Sequence, residues 1–209
     1  MDNPVRYGFR PSGGKFSSEE RCIECVVASA YQAAPGAVNV PLRVGDPVVR
    51  VSDGTVALMT AGSAGKCYGV IVGVNQIFDS VLGCTRPSDR VPGGTTYSGI
   101  PNQSRVSVAL AHANYFEVDC DDAVTATTEA AYQAYRGENA DISFTGVLNV
   151  GAFPKLDIST HNTTGTLQCN IVDVARTLEN RDFSGANVKL KIQFNLVDDN
   201  HGLPQTTGV

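Results

Sequence analysis

The sequence has no tryptophan and only three histidines, and aromatic residues make up 7% of its 209 residues. Without tryptophan, the chain lacks the usual aromatic platform of a carbohydrate-binding module. No segment approaches the roughly 20 apolar residues that a membrane-spanning helix needs. No basic run is present either, and 16 Lys+Arg against 21 Asp+Glu give a net charge of −5. Nucleic-acid binding is therefore disfavoured, because it requires clustered cations.

The first residues, Met1–Pro4, lack the cationic end and apolar segment of a signal peptide, which predicts synthesis in the cytoplasm. Six cysteines in such a chain are expected to be reduced. The one close pair is Cys22 and Cys25, and a zinc site would need further ligands such as Cys67 and Cys84, whose spacing matches no zinc module. Free structural thiols are therefore favoured over zinc, a local disulfide or a redox pair.

Glycine and proline are plentiful, with 21 and 10 residues, and short apolar runs alternate with polar positions. An Asp-Gly turn at Asp53 and Gly54 between β-branched runs predicts a hairpin. Further strands are predicted at 67–78, 105–110, 115–118, 156–158, 167–174 with a bulge after residue 171, and 188–196. In the last strand, Lys189 and Lys191 share the polar face, where they would protect a sheet edge.

The fold class is therefore mainly β: a compact β-barrel or β-sandwich body with an extended N-terminal arm and at most one short helix. We place the arm at residues 1–40 and the body at 41–209, with a division into subdomains 41–120 and 121–209 left open. The helix is predicted over 128–135, with Thr127 as N-cap and Gly137 as its stop. No internal repeat is evident.

No catalytic pattern emerges, and we expect neither an enzyme nor a cofactor. A hydrolase needs a nucleophile, a base and an orienting acid, and none of the histidines has such neighbours in sequence. They are His112, His161 and His201.

Three acidic residues near Cys120 offer a possible cation site, at positions 119, 121 and 122. They lack the alternating acidic positions and the distal glutamate of a calcium loop, so we expect no metal. Two glycine-lysine stretches end in Phe16 and Cys67 where a phosphate-binding loop requires serine or threonine.

Contact residues are the remaining candidates. Aromatic and arginine residues are favoured in protein interfaces, and they cluster in the predicted arm and in the Gly/Pro-rich loop 85–104. The candidate contact residues are Arg6, Tyr7, Phe9, Arg10, Arg86, Arg90 and Tyr97.

The order of short motifs along the chain resembles that of the structural cement, or head decoration, proteins of tailed bacteriophages. The motifs are Tyr7-Gly8-Phe9-Arg10-Pro11, Gly45-Asp46-Pro47-Val48, Tyr68-Gly69-Val70, Gly73-Val74, Leu156-Asp157-Ile158-Ser159-Thr160, Gly165-Thr166-Leu167-Gln168, Ile171 and Gly185-Ala186-Asn187-Val188. The chain departs from the family pattern at Asn170, where an arginine is expected, and at Asn195–Asp198, where an acidic-histidine pair is expected.

The resemblance implies a non-enzymatic protein on the outer surface of the virion, synthesised in the host cytoplasm. It would bind the outer face of the icosahedral head, bridge neighbouring major capsid protein subunits and stabilise the expanded shell. Its partners would be the major capsid protein and copies of itself, with a trimer favoured over a dimer. A receptor- or carbohydrate-binding virion module, and a tail or head-completion protein, are the alternatives.

Overall fold

The computed structural model describes residues 8–15, 21–28, 42–60, 62, 66–79, 84–88, 91, 105–121, 126–144, 153–178, 180, 182–184, 187–195 and 197–198. The strands are β1 (Arg10–Gly14), β2 (Cys22–Val26), β3 (Pro47–Arg50), β4 (Val56–Leu58), β5 (Gly69–Asp79), β6 (Cys84–Ser88), β7 (Arg105–Leu110), β8 (Asn114–Asp119), β9 (Asn139–Ser143), β10 (Lys155–Asn162), β11 (Cys169–Val174) and β12 (Lys189–Phe194). A short helix, α1, spans Glu129–Gln133. The predicted mainly β fold with one short helix is confirmed.

The strands form two antiparallel sheets, which we call the N-terminal and C-terminal units. The N-terminal unit has the strand order β2-β7-β5-β3-β4, with β6 also paired to β5. The C-terminal unit has the order β8-β12-β11-β9-β10, with β1 added on the outer side of β8. Each sheet bends back on itself, because a parallel bridge joins Val27 to Val56 in one unit and Cys120 to Leu156 in the other.

Apart from β1 and β6, which have no counterparts, the two units share one topology, and their ladders correspond in register. With these two strands left out of the count, each unit places its first strand beside its fifth, the fifth beside the fourth, the fourth beside the second and the second beside the third. In both, a bulge interrupts the ladder between the fourth and fifth strands. Four ladder pairs of the N-terminal unit have a direct counterpart in the C-terminal unit. The pair Ile71–Val108 corresponds to Ile171–Ile192, Gly73–Ser107 to Asp173–Lys191, Ile23–Val108 to Phe116–Ile192, and Val48–Gly69 to Ala140–Cys169.

Hydrogen bonds outside the ladders repeat as well. Gly45 donates its N–H to the carbonyl of Ile71 at 2.8 Å, and Gly137 donates to Ile171 at 2.9 Å. Both glycines have positive φ, +95° and +83°, which glycine adopts without steric cost. The closing bridges match too: Ala28 donates to Val56 at 2.8 Å, as the residue after Cys120 donates to Leu156 at 2.9 Å. The structure therefore contains an internal repeat that is not evident in the sequence.

Two hydrophobic clusters fill the units. The smaller lies inside the N-terminal unit and includes Val56, Ile71 and Val108. The larger lies inside the C-terminal unit, but it also takes in Val70 and Ala109 from β5 and β7. These two strands are therefore buried on both faces, and their second face joins the units.

The helix and the hairpin follow local signals. The N-cap of α1 is Thr128, one residue after the predicted one, and its side chain accepts a hydrogen bond from the Ala131 N–H. In the β3–β4 hairpin, Gly54 has φ +84°, as the predicted turn requires. The described residues contain no helix long and apolar enough to cross a membrane.

Two predicted irregular regions contain strands. Residues 10–14 and 22–26 of the predicted arm are β1 and β2, each in a different unit. Short runs with glycine, proline and cysteine carry no clear alternation, so only pairing with β8 and β7 reveals them. The predicted loop 85–104 begins in β6, and β8, which precedes the proposed boundary at 120, belongs to the C-terminal unit.

The last strand is not an edge strand, which corrects the role predicted for its lysines. β12 lies between β8 and β11. Lys189 is 2% exposed and forms an ion pair of 3.2 Å with Asp119, its partner across the ladder. Asn180 covers this end of the strand, because its side chain donates to the Lys189 carbonyl and accepts from the Lys189 N–H, both at 3.0 Å.

Replacing Gly69 with alanine should destabilise the fold, because the added Cβ would lie 2.3 Å from the Ala109 carbonyl oxygen and 2.5 Å from Val108 Cγ1. We expect a loss of about 2 kcal/mol or more in the free energy of unfolding, measured with urea. Gly73→Ala on the same strand is the matched control, since its nearest neighbour is at 3.7 Å. Equal losses in the two variants would contradict the close approach at Gly69.

Replacing Lys189 with methionine should remove the buried ammonium that forms an ion pair with the buried Asp119. Such a change typically costs about 3–5 kcal/mol in the free energy of unfolding. Lys191→Met is the control on the same strand; that ammonium lies half-buried, 4.7 Å from the Tyr115 ring, so its loss should cost below about 1 kcal/mol. The double variant Asp119→Asn, Lys189→Met should be more stable than Lys189→Met alone, because it removes both charges. A double variant less stable than Lys189→Met would show that the two side chains are not coupled.

Candidate interaction surface

The first described residues pass between the two units and are held by backbone contacts. Phe9 donates its N–H to the Gly45 carbonyl at 2.9 Å. A Cβ at Gly8 would lie 2.7 Å from that same oxygen and 3.1 Å from the Pro154 ring, so only glycine fits. The Phe9 side chain is 2% exposed, with its ring centroid 5.4 Å from that of Phe194. Phe9 thus belongs to the chain's own core, and its predicted role as an outward contact residue is wrong in this conformation.

Arg10, the next residue, points to the surface. Its guanidinium forms an ion pair of 2.8 Å with Glu117 on β8, and its side chain remains 45% exposed. β1 pairs with β8 here, with Arg10 opposite Glu117. Phe9 and Arg10 are therefore neighbours in the predicted basic-aromatic cluster that face opposite ways, Phe9 toward the core and Arg10 toward the surface.

Around Arg10, the outer face of the C-terminal unit carries a cluster of charges and one aromatic ring. The Lys191 ammonium lies 4.7 Å from the Tyr115 ring centroid, and the Lys15 ammonium lies 5.7 Å from it. Lys15 also donates to the Ala111 carbonyl at 3.2 Å. We call this surface the outer face; it consists of Arg10, Lys15, Tyr115, Glu117 and Lys191.

Next to the outer face, side-chain amides form a connected network across β9, β11 and β12. Asn195 donates to the Asn139 side-chain oxygen at 2.8 Å, and Asn170 donates to the same oxygen at 3.0 Å. Asn195 also donates to the Leu167 carbonyl at 2.9 Å. These amides are engaged with the chain itself, so the network fixes the strand ends.

One histidine lies beside this network. His161 Nδ1 is 2.6 Å from a Glu138 carboxylate oxygen, and its ring centroid is 4.4 Å from that of Tyr135. Sequence spacing gave no sign of this grouping, because the three residues come from α1's C-terminal turn, β10 and the segment before β9. The grouping places a base and an acid beside the Tyr135 ring and the Asn170 side-chain amide, which donates to the Glu138 backbone carbonyl.

Of the other predicted contact residues, the structure describes only one. Arg86 lies on β6, where it pairs with Ile77 of β5. Arg6, Tyr7, Arg90 and Tyr97 lie outside the described residues. Lys15, Tyr115 and Lys191 were missed as contact candidates, although alternation along β12 did predict Lys191 on a polar face.

A carboxyl group is buried where the N-terminal segment meets the N-terminal unit. Asp46 is 1% exposed; its Oδ2 accepts from the Arg43 N–H at 2.8 Å, while its Oδ1 has no hydrogen-bond partner among the described residues. Burial raises the pKa of Asp46 to about 7, and the hydrogen bond and positive charge of Arg43 only partly oppose this. The guanidinium of Arg43 lies 6.0 Å from the ring of Phe153.

Five of the six cysteines are thiols that are not joined in disulfides: Cys22, Cys25, Cys67, Cys120 and Cys169. Cys22 and Cys25 lie three residues apart on one extended strand, so their side chains point to opposite faces and do not converge on a metal. Burial raises the pKa of Cys25 to about 11 and also raises the pKa of Cys67, Cys120 and Cys169. Raised pKa values keep these thiols protonated and unreactive at neutral pH.

The predicted acidic cluster is divided among structural roles. Asp119 pairs with Lys189, and Asp121 accepts from the Ile158 N–H at 3.3 Å. Asp122 lies outside the described residues. Within the described part of the chain, no group of three or more potential metal ligands comes together.

No protein-family model, no curated protein and no solved structure matches this chain.

The buried Asp46 predicts that stability falls as pH rises. Its pKa is about 7 in the folded chain against an ordinary value of 3.8, so the folded state binds the proton more tightly between these limits. This contribution is fully present below about pH 4 and is lost as pH rises to about 7, amounting to at most about 4 kcal/mol. Asp46→Asn should therefore gain stability relative to the parent chain between pH 4 and pH 8 in urea titrations; parallel pH profiles would contradict the assignment.

Proposed function

We propose that the protein is a capsid cement protein of a tailed bacteriophage, which binds the outer face of the head and bridges neighbouring major capsid protein subunits. The β fold agrees with the class that the motif resemblance implies. The observation that carries the proposal is that motifs far apart in sequence are neighbours in space. Phe9 bonds to Gly45, and Val48 pairs with Gly69, so the described residues of the motifs at 7–11, 45–48 and 68–70 form one contiguous junction.

A cement protein needs a rigid body and a polar surface for docking. Both units are held by repeated backbone bonds, and the outer face presents Lys15 and Lys191 near the Tyr115 ring and Arg10 paired with Glu117. Arginine and aromatic side chains favour protein interfaces. Many identical sites on a shell would also let modest contacts add up, provided that linked copies reach adjacent sites.

The proposal predicts saturable, stoichiometric co-sedimentation of the full chain with expanded, undecorated shells and not with unexpanded precursor shells. Absence of binding to both shells would overturn it. Lys191→Glu should lower the bound copies at least fivefold if the outer face docks. Arg176→Glu is the matched control, with the same charge change at a side chain that is 64% exposed and paired with Glu129. Equal losses in the two variants would show that only net charge matters.

A further inference from the structure

The internal repeat places two acidic residues at equivalent turns. Asp46 and Glu138 each follow a glycine of positive φ. Each donates its N–H to the carbonyl three residues earlier, at 3.1 and 3.0 Å, and each accepts from the isoleucine that also bonds to the preceding glycine, at 3.0 Å from Ile71 and 2.8 Å from Ile171. The two turns are therefore the same backbone structure, and their surroundings can be compared directly.

The N-terminal turn has a cover that the C-terminal turn lacks. Phe9 donates its N–H to the Gly45 carbonyl, and a Cβ at Gly8 would lie against both that oxygen and the Pro154 ring. Gly137, the counterpart of Gly45, is exposed, and a Cβ built on it would meet no atom within 4 Å. The C-terminal turn keeps its hydrogen bonds without a cover, so the N-terminal turn can also persist when residues 8 and 9 leave it.

The cover decides the surroundings of the carboxyl group. The Glu138 side chain is 29% exposed, and its carboxylate lies 2.6 Å from His161. Asp46 is 1% exposed, and one of its oxygens accepts from the Arg43 N–H. The other oxygen, Oδ1, has no hydrogen-bond partner among the described residues. Ionisation of Asp46 in this place is unfavourable, because a buried carboxylate oxygen needs hydrogen-bond donors or water.

One positive charge acts on Asp46 in the described part of the chain, that of Arg43. The other groups packed on the turn carry no charge: Gly8, Phe9, Ile71 and Pro154. Burial outweighs the charge and the N–H of Arg43, so the pKa of Asp46 is raised to about 7. The carboxyl group therefore changes its charge close to neutral pH.

The segment that covers the turn, residues 8–15, is held incompletely. Its ladder with β8 shifts register between Pro11 and Gly14, and proline has no N–H to donate. The Ser12 hydroxyl is buried with no hydrogen-bond partner in the described structure. β1 has no counterpart in the N-terminal unit, so the shared topology does not require it. Burial of Phe9 opposes release, which keeps the segment seated while Asp46 is neutral.

We propose that ionisation of Asp46 releases residues 8–15 from the junction between the units. While Asp46 is protonated, the segment lies on the N-terminal turn and on β8. When the carboxyl group loses its proton, removal of Gly8 and Phe9 from the turn lets water reach Oδ1. Release exposes Phe9 beside Arg10, an aromatic-basic pair of the kind that protein interfaces favour. The inference does not depend on the proposed capsid function.

The direction of the pH effect follows from proton binding. The seated state has a pKa of about 7 at Asp46, whereas the released state, with its carboxyl group in water, titrates near the ordinary value of 3.8. The seated state therefore binds the proton more tightly, and it is most favoured below about pH 4. Release becomes easier as pH rises to about 7, and the release equilibrium should increase up to about 100-fold between pH 5 and pH 8.

The reporter is the Phe9 amide, whose hydrogen exchange in the full chain is followed by NMR and divided by the intrinsic rate at each pH. Its protection factor should fall about tenfold or more between pH 5 and pH 8. At both pH values it should stay about tenfold or more below that of the Gly45 amide, which bonds to Ile71 within the unit. Equal protection of the two amides would overturn the proposal, because the segment would then leave only when the unit unfolds.

Asp46→Asn removes the titrating group and keeps the size of the side chain. In this variant the protection of Phe9 should change less than about twofold between pH 5 and pH 8. Glu138→Gln is the matched control, since it makes the same change at the equivalent turn, and it should leave the fall at Phe9 as in the parent chain. A fall that persists in Asp46→Asn, or that disappears in Glu138→Gln, would overturn the assignment to Asp46.

The reverse coupling tests the proposal without altering Asp46. Gly8→Ala places a Cβ 2.7 Å from the Gly45 carbonyl oxygen at φ +68°, which should unseat the segment. Because coupling is reciprocal, the Asp46 carboxyl group should then titrate below about pH 6, as followed by its side-chain NMR signal. Gly62→Ala is the control, with φ +59° and no atom within 4 Å, and should leave the titration as in the parent. An unchanged titration in a Gly8→Ala chain whose Phe9 amide has lost protection would overturn the proposal.

Discussion

In each unit, one backbone hydrogen bond holds the first strand against the third: Ala28 to Val56 in the N-terminal unit and Asp121 to Leu156 in the C-terminal unit. A sheet whose end strands meet must bend strongly, and bending needs bulges and small residues. Both units place a bulge between the fourth and fifth strands, and the N-terminal unit adds Gly69, whose backbone lies directly on β7. The shared register is a consequence of closing two sheets in the same way.

The same backbone supports different surroundings in the two units. In the C-terminal unit, β1 and the segment around Asn180 cover the sheet, so that Phe116 and Lys189 are buried. In the N-terminal unit, the strand equivalent to β8 exposes Ile23, and β6 is added at another position. Since the ladders are alike, the two units differ mainly in the segments that lie over each sheet.

How far the candidate site could be predicted is shown by the pair Phe9 and Arg10. Composition correctly marked both as unusual in a glycine- and proline-rich segment, and aromatic-arginine clusters favour interfaces. Whether each side chain faces the core or solvent depends on the strand against which the segment pairs, and that strand lies about a hundred residues away. Lys15, Tyr115 and Lys191 were not recognised as one surface for the same reason, since three strands bring them together. The burial of Cys67, Cys120 and Cys169 was predictable, because cysteine behaves as a small apolar residue.

The sequence by itself determined most of the strand-forming segments, the Asp53-Gly54 hairpin, the bulge after Ile171 and the short helix, because alternation, turn chemistry and capping act over a few neighbouring residues. Only the tertiary structure decided that the chain folds as two equivalent units, since the repeat lies in backbone hydrogen bonds that many different side chains permit. It also decided the burial of Lys189: alternation assigns a residue to one face of a sheet, while the segments packed on that face decide whether water reaches it. Local pattern therefore predicts most of the strands, whereas long-range pairing decides their neighbours and also forms the strands that lack a clear pattern, β1 and β2.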